Sequence, residues 1–221
     1  MKIDMHVHTK YSSDSTSEPY KIMKVAKKRG LDGVAVTDHN TTKGWNDMIT
    51  AGKEQGIEVV LGEEIRIKEN NNSYEILGLF LNKEITSNNR DEVIDEIKDQ
   101  GGVVCIPHPF DTTKVSIDGI ENLVKKIDAI EVFNSRVISQ SYNKRAQEFA
   151  KKHNLGMIGG SDAHTEQEVG NAFTISDVDN LDDFKTAILN RETRVQGKLI
   201  SPLLRLGPKV ARINKSLRKI F

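Results

Sequence analysis

Seven apolar, β-patterned runs recur along the chain, at 2–6, 33–37, 57–65, 74–81, 103–106, 129–133 and 157–160. Helix-patterned segments separate most of them, at 19–29, 43–55, 90–100, 119–126 and 139–153. The first of these has Pro19 near its start and Gly30 just past its end, the asymmetry a helix favours. Val34, Val36, Val103, Val104 and Ile106 give the β-branched content of strands buried on both faces. Repeated strand–helix units favour a parallel sheet, open or closed into a barrel.

The positions of the polar residues narrow the reading further. Six of the seven runs end in, or lead at once into, a chemically reactive group: His6 and His8, Asp38 and His39, Glu63 and Glu64, His108, Asn134, and Asp162 with His164. In parallel α/β folds the carboxyl ends of the strands form one face, and that face carries the chemistry. These scattered groups are therefore expected to converge on one site.

Five of the six histidines belong to this set. Imidazole and carboxylate are the ligand types for Zn, Mn and Fe, and no nucleophilic Cys or Gly-rich nucleotide loop competes with them. His6 and His8 are two apart on a strand, so both rings point to one face and can share an ion. Glu64 is placed to bridge two ions. Such ions, about 3.5–4 Å apart, would generate hydroxide from a shared water at neutral pH and neutralise a phosphoryl group. His153 ends a helix-patterned segment, where a cation beside the last carbonyls is explanation enough.

The 221 residues are enough for one domain with a large core. Cys105, the single cysteine, sits in the apolar run 103–106 and reads as a buried small hydrophobe. No signal-peptide pattern opens the chain and no apolar stretch is long enough to span a bilayer, so a cytoplasmic protein is expected. The formal charge is zero but uneven. Residues 194–221 carry eight Lys or Arg and no acid, leaving 24 basic against 32 acidic residues in the remainder. A net acidic body suits a site for several cations.

The motifs Asp4-x-His6-x-His8, Thr37-Asp38-His39, Gly62-x-Glu64-Ile65, His108-Pro109-Phe110 and Gly160-Ser161-Asp162-Ala163-His164 resemble those of the PHP (polymerase and histidinol phosphatase) metal-dependent phosphoesterases, and in that family's order. The resemblance covers about residues 1–195. It implies a distorted seven-stranded β/α, TIM-like barrel with two or three divalent ions of Zn, Mn or Fe. One ion would take His6, His8, Glu64 and Asp162, and a second Glu64 and His108. A third would take Asp14, His39 and His164. Where family members often place another histidine for the second ion, this chain has Glu75, which keeps coordination but adds charge. His39, Asp162, His164 and Arg136 form the expected catalytic set, with Arg136 and Asn134 holding the phosphate. Asp38 is expected to orient His39, and Asp4 to do the same for the β-run of His6 and His8.

The implied activity is hydrolysis of a phosphomonoester or of a nucleotide or oligonucleotide phosphate, through a hydroxide generated at the ions. The implied partners are a small phosphorylated substrate or a nucleic-acid end. The interval from Glu64 to His108 is short and leaves the pocket open. Histidinol-phosphatase-like activity, a metal-binding regulatory or scaffolding module without turnover, and a metal-dependent amidohydrolase are the alternatives. Residues 196–221 read as a separate basic tail in which Val210, Ile213, Leu217 and Phe221 form one apolar face. That face is expected to pack on the barrel, with contact to an anionic surface as the alternative.

Overall fold

The computed structural model describes residues 1–69, 72–112 and 119–201. Its strands are β1 (Lys2–Val7), β2 (Gly33–Val36), β3 (Glu58–Glu69), β4 (Asn72–Leu79), β5 (Val103–Ile106), β6 (Ala129–Asn134), β7 (Gly156–Gly160), β8 (Ala172–Ile175) and β9 (Arg194–Gly197). They join in one sheet of order β7-β6-β5-β4-β3-β2-β1-β8-β9. β7 also packs against β1 and β8, so the sheet curls back on itself and nearly closes into a TIM-like α/β barrel. Its helices are α1 (Pro19–Lys28), α2 (Trp45–Gln55), α3 (Arg90–Asp99), α4 (Gln140–His153) and α5 (Leu181–Asn190).

The seven expected strands correspond to β1–β7, and the sheet has two more. β8 and β9 are four-residue strands; β8 (Ala-Phe-Thr-Ile) is apolar but short, and β9 (Arg-Val-Gln-Gly) is largely exposed and carries no apolar run. The boundary expected after residue 195 falls inside β9, whose pairing with β8 extends to Gly197. The parallel expectation holds for β1–β2, β2–β3, β5–β6 and β6–β7. It fails at β4, which runs antiparallel to both β3 and β5. Only residues 70 and 71 separate β3 from β4, whereas a parallel crossover needs roughly a dozen residues. The helix expected over 119–126 shrinks to a single 3₁₀ turn, Ile120–Leu123. The basic amphipathic stretch from Leu206 lies outside the described residues.

Strand alternation builds the core. In β1, Ile3, Met5 and Val7 enter apolar clusters while Asp4 and His6 take the opposite face. Phe184 and Ile188 of α5 close over Ile3, Met5, Leu77 and Cys105. Val93, Ile94 and Ile97 of α3 cover Ile76, Val104 and Ile106. Asn89 caps α3, its side chain accepting from the amides of Asp91 and Glu92. No helix among the described residues is long and apolar enough to cross a membrane.

Candidate metal centre

Five strands deliver the expected groups to one place, four from their ends and β3 from its middle, because β3 continues past the expected end at residue 65 to Glu69. His6 and His8 leave β1 with their Nε2 atoms 3.1 Å apart. Glu64, within β3, lies between them and two further rings. Its Oε1 is 3.4 Å from His6 Nε2 and from His108 Nε2, and its Oε2 is 3.3 Å from His8 Nε2 and 3.0 Å from His39 Nδ1. From the β7 end, Asp162 Oδ1 approaches His8 Nε2 and His164 Nδ1 at 3.4 Å each. Asp14, in the loop after β1, faces His39 Nε2 at 3.6 Å and His164 Nε2 at 3.5 Å. His8 lies against His39 and His164, with ring centroids 4.5 and 4.3 Å away. The cluster is buried: His6 and His8 are fully covered, and Glu64 and Asp162 are 1 % exposed.

These spacings fit bound cations. Ligands held about 2.0–2.2 Å from one ion lie roughly 3–3.5 Å from each other. The ligand atoms of His6, His8 and Glu64 have that separation, and Asp162 Oδ1 is 3.4 Å from His8 Nε2 and 3.7 Å from His6 Nε2. Two overlapping triads, His8/His39/His164 and His39/Glu64/Glu75, have ligand atoms that all lie within 4.8 Å of one another. Oε1 of Glu64 is buried and has no hydrogen-bond partner among the described residues. A buried carboxylate oxygen left in that state is costly unless a cation meets it.

The electrostatics say the same. Burial alone would lower the pKa of His6 and His39, but surrounding carboxylates outweigh it. Glu64, Asp162 and Glu131 push His6 well up, and Glu64 and Asp14 push His39 up to about 10. Burial would raise Glu64, yet His6, His39 and His108 hold it well below the usual carboxylate range. His8 goes the other way, down to about 4, through burial and the neighbouring His164 and His39. Without ions, protons on imidazoles balance the acids, and ion binding would release them.

A web of buried acids holds the rings. Glu131, on β6, places Oε1 3.1 Å from His6 Nδ1, while its Oε2 accepts from the His108 amide and from Asn134 Nδ2. Glu168 accepts from the amides of His164 and Thr165 and pairs with Arg136. Asp4 accepts from the Ser161 amide and hydroxyl and from the Gly170 amide, tying β1 to the turn that carries Asp162. Burial raises Asp4 to about 6 despite those bonds. Asp38 does not touch the His39 ring as expected. It accepts from Thr9 N, Thr9 Oγ1 and Ser12 Oγ, and Ser12 in turn meets His8 Nδ1 at 3.1 Å and the His39 amide at 3.0 Å. Asp38 thus fixes the loop after β1, and through it His8. Three non-glycine residues with positive φ, Asn40, His108 and Asp162, sit at the centre, a concentration of backbone strain typical of functional sites.

Arg136, expected at the phosphate, is 9 % exposed and its guanidinium meets Glu168. The Asn134 side chain donates to Glu131 and Asp162. Glu75, on β4, receives both Nε and Nη2 of Arg66 at 3.1 and 2.6 Å, and its other oxygen is 3.5 Å from His108 Nε2. Glu131 and Glu168 were not foreseen as part of the site. Glu131 had a readable signal, an acid inside the apolar strand run 129–133, which has to be paired when buried. Glu168 follows the last motif in an ordinary loop and had none.

Fold and cluster together define an α/β barrel with an imidazole–carboxylate centre at the carboxyl ends of its strands. The family model described as PHP domain matches residues 4–193, and the chain belongs to that family. An uncharacterised protein of Methanocaldococcus jannaschii is 44 % identical over 147 residues, 61 % of this chain and 82 % of that one. A 5'-3' exoribonuclease of Haemophilus influenzae is 29 % identical over 127 residues, 53 % of this chain and 46 % of that one. Among solved structures, a two-domain Bacteroides vulgatus protein containing a predicted PHP-like metal-dependent phosphoesterase superposes with a TM-score of 0.75. That match has 21 % identity and covers 96 % of this chain and 69 % of the other.

Proposed function

We propose that this protein is a metal-dependent phosphoesterase that hydrolyses a phosphomonoester or a nucleotide or oligonucleotide phosphate. The observation that carries this reading is Glu64, whose two oxygens lie 3.0–3.4 Å from four imidazoles delivered by three other strand ends. His6, His8, Glu64 and Asp162 would hold one ion. Glu64, His108 and Glu75 would hold a second, and Asp14, His39 and His164 a third, each of them Zn, Mn or Fe. Bound ions would supply Lewis acidity, drawing the pKa of water toward neutrality and offsetting phosphoryl charge.

The chain's own residues do the positioning. Glu131 holds His6 through Nδ1 and so leaves Nε2 for the shared face, and Ser12, held by Asp38, does the same for His8. Glu168 fixes the backbone of the turn bearing His164, and Arg136 neutralises Glu168. Burial of the cluster keeps bulk water from screening these charges. The similarity to an exoribonuclease supports nucleotide or oligonucleotide phosphates within the class.

The test is phosphate release by protein loaded with Mn²⁺ or Zn²⁺. The panel holds histidinol phosphate, sugar phosphates, nucleoside mono- and bisphosphates and short oligonucleotides. Turnover abolished both by chelator and by His39→Ala is expected. Silence across the panel from protein shown to carry its ions would favour a regulatory module over an enzyme.

A further inference from the structure

The segment that leads from His164 toward β8 belongs to no helix or strand: residues 164–171 lie in bends and turns. Two arginines grip it. From the buried side, Arg136 pairs with Glu168. From the solvent side, Arg29, the C-terminal cap of α1, lays its guanidinium across the same stretch. Its Nη1 donates to the Val169 carbonyl and, at 3.0 Å, to Asn171 Oδ1, while its Nη2 donates to the Gln167 carbonyl at 2.8 Å. The proposed chemistry gives Arg29 no task.

Three observations tie this grip to the centre. First, the two carbonyls that Arg29 holds flank Glu168, whose side chain accepts the amides of His164 and Thr165. The backbone that aims the His164 ring therefore hangs from a carboxylate whose own backbone is pinned on both sides. Second, Gly170 lies inside the same grip and donates its amide to Asp4, the acid that also takes the Ser161 amide and hydroxyl. Gly170 has φ +77°, and a Cβ there would meet Arg29 Cδ at 3.2 Å, so the missing side chain lets the turn lie on the arginine stem. Third, the fork acts by its shape. Its planar array of N–H donors reaches three neutral oxygens at once, which the compact ammonium of a lysine does not match. The other tether from α1 to this turn is the exposed ion pair Lys21–Glu166 at 3.5 Å, a kind of contact that contributes little.

We propose that Arg29 is a positioning residue for the metal centre: it clamps the turn 165–171 and, through Glu168, sets His164 for ion binding. The connection runs from the guanidinium to the carbonyls of Gln167 and Val169, then through the Glu168 side chain to the His164 amide. Charge alone predicts the opposite effect, because removing a cation from the neighbourhood of a cation site favours ion binding. The direction of the change therefore separates a clamp from a field. This inference rests on the metal-centre reading for its consequence, while the clamp itself can be read in metal-free protein.

The experiment pairs titration of Mn²⁺ or Zn²⁺ against a chromophoric chelator with amide hydrogen exchange of the metal-free protein. It compares the unaltered chain with Arg29→Gln, Arg29→Lys and Lys28→Gln. Arg29 acts one contact further out than the direct partners of ligating histidines, so Arg29→Gln is expected to weaken ion binding about tenfold, the low end of their range. In the same variant the His164 and Thr165 amides are expected to exchange about tenfold faster while those of β6 keep their rates, the mark of a local opening. Arg29→Lys keeps the charge without the fork and should weaken binding in the same direction, by less. Lys28→Gln removes an exposed charge one residue away and should leave binding unchanged or slightly tighter. Undiminished binding in Arg29→Gln, or exchange that rises equally through the whole sheet, overturns the positioning role. Full binding in Arg29→Lys, or an equal loss in Lys28→Gln, would trace the effect to charge and overturn it too. Unaltered protein that binds no ion overturns the metal-centre reading instead, and exchange at His164 then still decides the clamp.

Discussion

Glu131 Oε1 lies 3.1 Å from His6 Nδ1, and that contact decides which edge of the imidazole the centre sees. With Nδ1 engaged, Nε2 is the atom presented to His8, Glu64 and Asp162. The same carboxylate accepts the His108 amide, so one buried acid on β6 sets the position of rings from β1 and β5.

Glu131→Gln keeps the shape but removes the charge that favours this tautomer. Metal affinity is expected to fall about 10–100-fold, as for other partners of ligating histidines. Competitive titration against a chromophoric chelator, with a thermal melt to confirm folding, reads this directly. Unchanged affinity would remove Glu131 from any role in the centre.

Glu64→Gln is expected to lower kcat/KM by about 10³, roughly 4 kcal/mol of barrier. Gln puts an uncharged NH₂ where Glu has a carboxylate oxygen of nearly the same size, so the metal-free variant should melt within a few degrees of the unaltered protein. Comparable losses of activity and of folded protein would argue that Glu64 is structural.

Chelation should destabilise the fold. Ions present at about 100 times their dissociation constant contribute about 2.7 kcal/mol per independent site, which in a domain of this size moves Tm by roughly 5–10 °C. Calorimetry before and after dialysis against chelator measures the shift, and restoring Mn²⁺ or Zn²⁺ should reverse it. A Tm indifferent to chelator would mean that the cluster holds no ion tightly.

Gly160→Ala probes the approach of β7 to β1. A methyl group there would meet His6 Cβ at 2.4 Å and the His6 amide nitrogen at 2.8 Å, so β1 has to shift. The expected outcome is about 1–3 kcal/mol of destabilisation with loss of metal binding. Phe184→Ala, deep in the core, is the counterpart: about 3–5 kcal/mol lost, with metal affinity per folded molecule preserved. Denaturant melts and metal titrations on both variants separate the two effects.

Much of this was legible in the residues. β1–β7 were readable as apolar runs, β-branched in β2 and β5, and the histidines and acids along them located the site, because strand alternation and chain direction together fix where such groups point. The sequence was less informative where long-range context decides. β8 is too short and β9 too short and polar to form a pattern, and α5 (Leu181–Asn190) went unread although Asn180 caps it. β4 turned antiparallel because of a spacing of two residues, a geometric limit that periodicity does not register. Asp38 sits beside His39 in the chain, yet its partners are Thr9 and Ser12, brought from β1 by the sheet. Through Ser12 it steadies the His39 backbone as well as the His8 ring, by a contact that sequence adjacency does not reveal.

Because one carboxylate, Glu64, touches His6, His8, His39 and His108, the ions it would hold are not independent tenants. Filling one position repositions an oxygen that the next position also uses. Occupancy is then a collective property: titration curves should bend rather than step. The centre is also exposed to single-point failure, since no change elsewhere can restore a hub that several ligand sets have in common.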